Sequence, residues 1–242
     1  MTIWGILIGG AAGLAMGGPI GGLLGAAAGL FAEQQIRRQT DPEQARKVAF
    51  TVAVIALSAK MAKADGMVTK AEIEAFRARA DIPQKDIERV GKFWDLARQT
   101  PDGFAAYARQ TVELFGPRSA ILEQLLDLLF TIARADGAIT SEEWAYLSEV
   151  GHIFGYDEAG FNRLSDIYSG ESPPPHLILG IAADASLEEA KAAWKALART
   201  HHPDQLIAAG MPEEFISAAT DRLAQINHAY QTLAGQIRAR TA

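Results

Sequence analysis

A histidine-proline-aspartate tripeptide is the short segment of this sequence best suited to specific chemistry. His202, Pro203 and Asp204 follow His201 and stand between two segments with helical apolar periodicity. A histidine beside a carboxylate can act as a general base or as a metal ligand. A catalytic site needs several groups in a defined geometry, and no nucleophile or second cluster of ligands accompanies this histidine. We therefore expect no enzyme activity, and a surface turn and a recognition motif remain as the alternatives.

Two acidic segments repeat in the central region and are candidates for binding a cation. Residues 63–72 and 134–143 share a basic residue, Ala-Asp-Gly, a β-branched residue, Thr and Glu. Asp65 and Asp136, brought together by pseudo-twofold packing of the two copies, would offer oxygen ligands to calcium or magnesium. The alternative is structural, because Thr and Glu in each copy have the spacing of a capping box and Asp-Gly is common in turns.

The first 32 residues carry no charged side chain. As one helix, residues 3–31 would be about 43 Å long, which exceeds a hydrocarbon core of about 30 Å. This predicts a single transmembrane helix. A hairpin broken at Gly17-Gly18-Pro19 is one alternative, because proline removes a backbone donor. A secretory signal is the other, although its positive first segment is missing.

Glycines recur every four residues along this N-terminal segment and would form a flat strip. The glycines at the centre of the strip are Gly9, Gly13, Gly17 and Gly21. Small residues at this spacing let two membrane helices approach closely. We therefore expect a homodimer formed through the membrane helix, in contact with lipid.

Basic residues follow the apolar segment and indicate its orientation. They are Arg37, Arg38, Arg46 and Lys47. Because positive charge is enriched on the cytoplasmic side of membrane helices, we expect a single-pass membrane protein with its C-terminal domains in the cytoplasm.

The rest of the chain predicts an all-α protein. Its 242 residues have a formal net charge of −6 and no cysteine, which excludes thiol chemistry and argues against nucleic-acid binding. Residues 41–168 have helical periodicity with turn signals, and three prolines interrupt the chain after them. The predicted domains are a membrane anchor (1–32), a helical bundle (33–168), a proline-rich linker (169–175) and a C-terminal helical hairpin (176–242).

The C-terminal region predicts two antiparallel helices that present the tripeptide between them. Ser186 and Glu189 have the spacing of a capping box at the start of the first helix. This helix should end near Thr200, because Pro203 disfavours helical geometry in the residue before it. The second helix begins at about residue 212 and carries apolar residues along one face.

This arrangement resembles the J domain of DnaJ-type co-chaperones. The tripeptide follows Leu179-Gly180-Ile181 and a capped helix, and it precedes an Asn-x-Ala-Tyr-x-x-Leu segment that begins at Asn227. In that family the tripeptide and the basic face of the preceding helix engage a DnaK-type chaperone and stimulate its ATP hydrolysis. By position, the resemblance assigns this chaperone-binding role to His202, Pro203, Asp204, Lys191 and Lys195. Arg199 extends the stripe, because residues four apart share a helix face.

The sequence departs from the J-domain pattern at four positions. His176 stands where the family usually has tyrosine, and Ala192, Ala196 and Thr200 stand where basic residues are frequent. The basic stripe is therefore thinner than usual, which predicts weaker electrostatic steering toward the chaperone.

The repeated Ala-Asp-Gly-x-(Val/Ile) motif resembles the TerB-like domain, a helical module associated with membranes and stress responses. With an apolar segment before it and a J domain after it, the whole chain resembles the membrane-anchored DjlA-type J proteins of bacteria. This implies a co-chaperone that recruits a DnaK-type chaperone at the cytoplasmic face of the bacterial inner membrane. The alternative is a membrane adaptor or a metal-responsive stress module in which the TerB-like domain carries the main role.

Overall fold

The computed structural model of the protein describes residues 2–8, 17–30, 42–64, 69–99, 103–169 and 172–241, and every regular element within these ranges is helical. The α-helices are α1 (Ile3–Ile8), α2 (Gly18–Leu30), α3 (Pro42–Ala64), α4 (Lys70–Arg79), α5 (Ile87–Gln99), α6 (Phe104–Phe115), α7 (Ala120–Ala133), α8 (Ser141–Ile153), α9 (Glu158–Ser169), α10 (Pro175–Leu179), α11 (Leu187–Thr200), α12 (Pro203–Ala209) and α13 (Ile216–Thr241). Short 3-10 turns at Gln84–Asp86 and Glu213–Phe215 lead into α5 and α13. The predicted all-α class is confirmed.

We call the bundle of helices α1 to α9 the central domain, which is the larger of the two domains, and α3 lies at its centre. Every side chain from Val48 to Ala59 is buried, as expected of a helix that is apolar on all sides. The helix packs against α5, α6, α7 and α8. The buried hydroxyl of Thr51 donates to the carbonyl of Lys47 at 2.8 Å, so its polar atom is satisfied within the helix.

The two copies of the sequence repeat pack against each other. Helices α3 and α4 form the first unit and α7 and α8 the second, and each short helix packs on the long helix of the other unit, α4 on α7 and α8 on α3. The hydroxyl of Tyr146 in α8 donates to the carbonyl of Leu57 in α3 at 2.8 Å. The predicted shared core of the two units is therefore confirmed.

Both repeated glutamates serve as helix caps. The Thr69 hydroxyl accepts from the backbone N–H of Glu72 at 3.2 Å, and the Glu72 carboxylate accepts from the N–H of Thr69 at 2.7 Å. Thr140 and Glu143 repeat the exchange at 3.2 and 2.9 Å. The structural alternative for the two glutamates is therefore confirmed, since each reciprocal pair satisfies two backbone donors that the first helical turn leaves free.

The N-terminal segment differs from the predicted continuous helix. Gly18 has a φ of 74°, a left-handed conformation that favours glycine and interrupts a helix. The Gln110 side chain stabilises this interruption, because it accepts from the N–H of Ile20 at 2.9 Å and donates to the carbonyl of Gly17 at 2.6 Å. Helices α1 and α2 both pack on α3, and the Trp4 indole donates to the carbonyl of Ala80 at 3.1 Å. No helix in the described ranges has both the length and the apolar character that a membrane crossing requires.

Helices α10, α11 and α13 enclose a smaller core of their own. The buried members of this core are Ile178, Leu179, Ala190, Ile226, Ala229 and Leu233. The Trp194 indole donates to the Asn227 side chain at 2.7 Å and stacks on Tyr230 with ring centroids 4.7 Å apart. These contacts join α11 and α13 at the Asn-x-Ala-Tyr-x-x-Leu segment, which carries part of the resemblance to the J domain.

The chain after α11 differs from the predicted open loop. Helix α11 ends at Thr200 as predicted, but a further helix, α12, begins at Pro203. Proline favours the first position of a helix, since its fixed φ suits the helix and its missing donor would be unpaired there. Gly210, with a φ of 115°, ends α12 in the left-handed conformation, a common helix C-terminus.

Candidate functional site

The tripeptide forms the beginning of α12. The Nδ1 atom of His202 accepts from the backbone N–H of Asp204 at 3.2 Å, which makes His202 the N-cap of the helix. The Asp204 carboxylate lies in the first turn, where the helix dipole favours negative charge, and its Oδ2 atom is 3.6 Å from Nδ1 of His202. Both side chains are exposed. The helix start therefore presents an imidazole and a carboxylate together on a rigid backbone.

The basic stripe lies on α11, immediately before the tripeptide. Lys191, Lys195 and Arg199 are all exposed and lie on one face of the helix because they are four residues apart. None of the three forms an ion pair with a carboxylate in the part of the chain that the structure describes. Their charges are therefore available to a negatively charged partner.

The opposite side of the tripeptide is buried against the central domain. His201 is only 2% exposed, and its Nε2 atom lies 3.8 Å from the carboxylate of Glu123 in α7. The same carboxylate accepts from Arg222 in α13 at 2.9 Å and from the hydroxyl of Tyr168 in α9 at 2.8 Å. We call these four residues, Glu123, Tyr168, His201 and Arg222, the interdomain cluster.

The charge states within the interdomain cluster follow from burial and from its one permanent cation. Burial alone would raise the pKa of Glu123, but the charges of His201 and Arg222 and the hydrogen bonds from Tyr168 and Arg222 hold that pKa below its ordinary value. Burial lowers the pKa of His201, against the opposing attraction of Glu123. At neutral pH the cluster therefore contains a Glu123–Arg222 ion pair.

Apolar contacts hold the same side of the loop. Leu206 in α12, together with Met211, Phe215 and Ala219, belongs to the core of the larger domain and not to the core between α11 and α13. The ring of Phe215 meets that of Phe50 in α3 edge to face, with centroids 5.3 Å apart. The segment after the tripeptide is thus fixed to the central domain, while the tripeptide itself faces outward.

A second carboxylate lies next to the interdomain cluster. Asp127 is one turn after Glu123 on α7 and is partly buried. It lines a cleft of about 360 Å³ with Arg79, Asp221 and Arg222. Burial raises the pKa of Asp127 to about 6, although Arg79 and Arg222 oppose this shift.

One of the two predicted cation ligands, Asp136, lies within the described residues. Asp136 is exposed in the turn before α8, and Asp65 lies outside the described residues. The carboxylates of Glu72 and Glu143 accept backbone hydrogen bonds as caps. The described ranges hold no group of three or more residues with metal-binding side chains. Because Asp65 lies outside the described residues, cation binding by Asp65 and Asp136 stays a prediction.

The predicted glycine strip is described only in part. Gly9 and Gly13 lie outside the described residues. Gly17 is exposed just before α2, and Gly21 is partly exposed within it. Dimerisation through these glycines therefore stays a prediction.

The residues of the interdomain cluster were not selected from the sequence. Glu123 stands within the apolar run 120–133, and Arg222 stands in the apolar seam of α13. A charged residue in an otherwise apolar stripe is the available signal, because such a charge is rarely buried without a partner. The identity of that partner is not visible in the sequence.

Three families of known proteins match successive parts of the chain. The family "Co-chaperone DjlA transmembrane domain" matches residues 1–39. The family "Tellurite resistance protein TerB" matches residues 51–166, and the "DnaJ domain" family matches residues 175–240. The resemblances to the TerB-like domain and to the J domain are therefore confirmed.

Several proteins named Co-chaperone protein DjlA are similar to the chain over most of its length. The protein of Legionella pneumophila is 24% identical in an alignment of 282 positions, which covers 96% of this chain and 95% of the relative. That of Coxiella burnetii is 25% identical, with 95% and 96% covered, and that of Vibrio cholerae is 26% identical, with 79% and 80% covered. No solved structure matches the chain.

Proposed function

This chain is a J-domain co-chaperone of the DjlA type, and from that premise we propose that it binds a DnaK-type chaperone and stimulates ATP hydrolysis by that chaperone at a membrane surface. The protein performs no covalent chemistry itself in this proposal. Its role is to supply a rigid, positively charged docking surface.

The exposed tripeptide and the adjoining basic stripe are the observation that carries the proposal. His202 and Asp204 are exposed where α12 begins, and the stripe on α11 leads directly to them. Because the cationic side chains of the stripe have no carboxylate partner among the described residues, an acidic protein surface can pair with them without first breaking an internal ion pair. The buried contacts of His201 and Leu206 fix the orientation of this surface.

Anchoring at the membrane is the second part of the proposal. It is supported by the match of residues 1–39 to the DjlA transmembrane domain and by the absence of charge from the first 32 residues. The basic residues that follow support a cytoplasmic position for the TerB-like and J domains. Anchoring would confine stimulation of the chaperone to clients near the membrane.

Single-turnover ATP hydrolysis by a DnaK-type chaperone tests the proposal. The full chain in detergent micelles should accelerate hydrolysis, and His202→Gln should abolish the acceleration. His228→Gln is the matched control, since His228 is exposed on α13, away from the start of α12. An active, folded His202→Gln variant would contradict the proposed role of the tripeptide.

A further inference from the structure

A cavity lies beside the tripeptide, between the J domain and the central domain. It has a volume of about 470 Å³. The J domain contributes Arg199, Thr200 and Gln205 to its walls, and the central domain contributes Arg46 and Ser119. Arg199 is the last residue of the basic stripe, and Gln205 is three residues after His202. A protein bound to the stripe and the tripeptide would therefore cover the mouth of this cavity.

The cavity is electropositive. Arg46 in α3 and Arg199 in α11 are both exposed, and neither has an ion-pair partner within the described ranges. The residues that line the cavity in the described structure include no aspartate or glutamate. Two arginines without a neighbouring carboxylate form a binding position suited to an anion.

The beginning of α7 adds hydrogen-bond donors to this cavity. Ser119 is the N-cap of α7, but its hydroxyl caps no backbone N–H. The Oγ atom is buried and has no hydrogen-bond partner among the described residues, and Ser119 lines the cavity. The amino end of α7, a helix of 14 residues, also carries the positive end of the helix dipole.

Arg46 is held in a fixed position relative to the tripeptide. Gly210 ends α12 with a φ of 115°, and a Cβ atom placed there would lie 2.7 Å from the Cβ atom of Arg46. The same hypothetical atom would lie 3.3 Å from the ring of Phe115 in α6. The central domain therefore packs directly against the turn that ends α12, and the spacing between Arg46 and Arg199 is set by tertiary packing.

We propose that Arg46 and Arg199, with the hydroxyl of Ser119, receive an acidic side chain of the DnaK-type chaperone. The TerB-like domain then contributes directly to chaperone binding, and Arg46 supplies a cation to a stripe that lacks one at Ala196 and Thr200. This inference rests on the proposed function. A carboxylate on the chaperone is favoured over a lipid phosphate because the cavity adjoins the tripeptide and the stripe, the residues assigned to chaperone binding.

The test measures how much co-chaperone is needed for half-maximal stimulation of ATP hydrolysis. The variants of the full chain are Arg46→Gln, Arg46→Glu and Arg46→Lys, assayed in detergent micelles so that membrane topology does not enter. Arg109→Glu is the matched control, because Arg109 is exposed in α6 and lines a different cavity. Circular dichroism and thermal melting confirm that each variant is folded.

We expect Arg46→Glu to raise the half-maximal concentration about three- to tenfold, which is the effect expected from losing one charge contact at an interface. The maximal rate should stay unchanged. Arg46→Gln should have a smaller effect, and Arg46→Lys and Arg109→Glu should match the wild type. Mutating Arg46 and Arg199 together should weaken the binding free energy by less than the sum of the two single effects, since both arginines bind one carboxylate.

Two results would overturn the inference while leaving the proposed function intact. In the first, the wild type stimulates hydrolysis and Arg46→Glu does so at the same half-maximal concentration. In the second, the wild type binds glycerol phosphate, the headgroup phosphate of phosphatidylglycerol, and Arg46→Glu does not, while the half-maximal concentration is unchanged, which assigns the cavity to lipid. A wild-type chain that does not stimulate the chaperone overturns the proposed function and this inference together.

Discussion

Arg222 of α13 donates a hydrogen bond to Glu123 of α7 at 2.9 Å, with 2% and 11% of the two side chains exposed. The bond joins the J domain to the central domain through an ion pair that water hardly reaches. Because Glu123 also contacts His201, next to the tripeptide, this pair links the proposed chaperone-binding surface to the core of the TerB-like bundle.

Removing one partner of this ion pair should destabilise the protein. Arg222→Ala leaves the buried Glu123 without its cation, and we expect a loss of about 3 kcal/mol in the free energy of unfolding. The double variant Glu123→Gln with Arg222→Met should recover most of that loss, because it removes both charges and keeps the volume. Urea unfolding measures both. A single-variant loss below about 1 kcal/mol would show that water screens the pair.

Asp127 should make stability depend on pH. Its pKa is raised from 3.8 to about 6, so the native state binds more protons than the unfolded state between these pH values, and this group's contribution to stability falls as pH rises through that range. Asp127→Asn should therefore raise the free energy of unfolding at pH 7.5 by about 3 kcal/mol and change it much less near pH 4. The difference between wild type and variant across this range is the measurement, and a difference that does not vary with pH would refute the assignment.

The basic stripe should control affinity for the chaperone more than the maximal rate of stimulation. Lys195→Glu reverses a charge at the centre of the stripe and should raise the half-maximal concentration in the ATPase assay and flatten its salt dependence. Arg240→Glu makes the same change at an exposed position near the C-terminal end of α13 and is the control. If the two substitutions raised the half-maximal concentration equally, the change would follow from net charge alone and the stripe would have no specific role.

Leu206 should anchor α12 to the central domain. Leu206→Ala removes a side chain that is 2% exposed, and we expect a loss of about 2 to 4 kcal/mol from the cavity that remains. Hydrogen exchange should increase first in α12. Ile207→Ala, at the next and more exposed position, is the control and should cost less. Unchanged exchange in α12 of the Leu206 variant would contradict the anchoring role.

The N-terminal segment should hold the full chain in the membrane. Alkaline extraction should leave the protein in the membrane pellet. High pH breaks the electrostatic contacts that hold peripheral proteins, but it does not release an apolar segment from lipid. A C-terminal tag should be protected from protease in intact spheroplasts. Release into the supernatant would contradict the anchor, and digestion of the tag would contradict the orientation.

The sequence by itself determined the local features of this protein. The capping pair Ser186 and Glu189 begins α11 where predicted, and Pro203 makes the chain leave that helix after Thr200, because these effects act within one helical turn. The J-domain hairpin could also be predicted from the sequence, since apolar residues at helical spacing indicate a helix face that packs against a partner. The start of α12 at Pro203 was missed because the same proline that ends one helix can begin the next.

Only the tertiary structure decided which side of the tripeptide is buried and which residues join it. Arg46 and Arg199 lie in different domains yet line one cavity, and Glu123 meets Arg222 across a separation of 99 positions. Periodicity identifies the face of each helix that is apolar but not the helix that covers it. That choice depends on the packing of all the helices together, and it places the cations and the buried ion pair around the tripeptide.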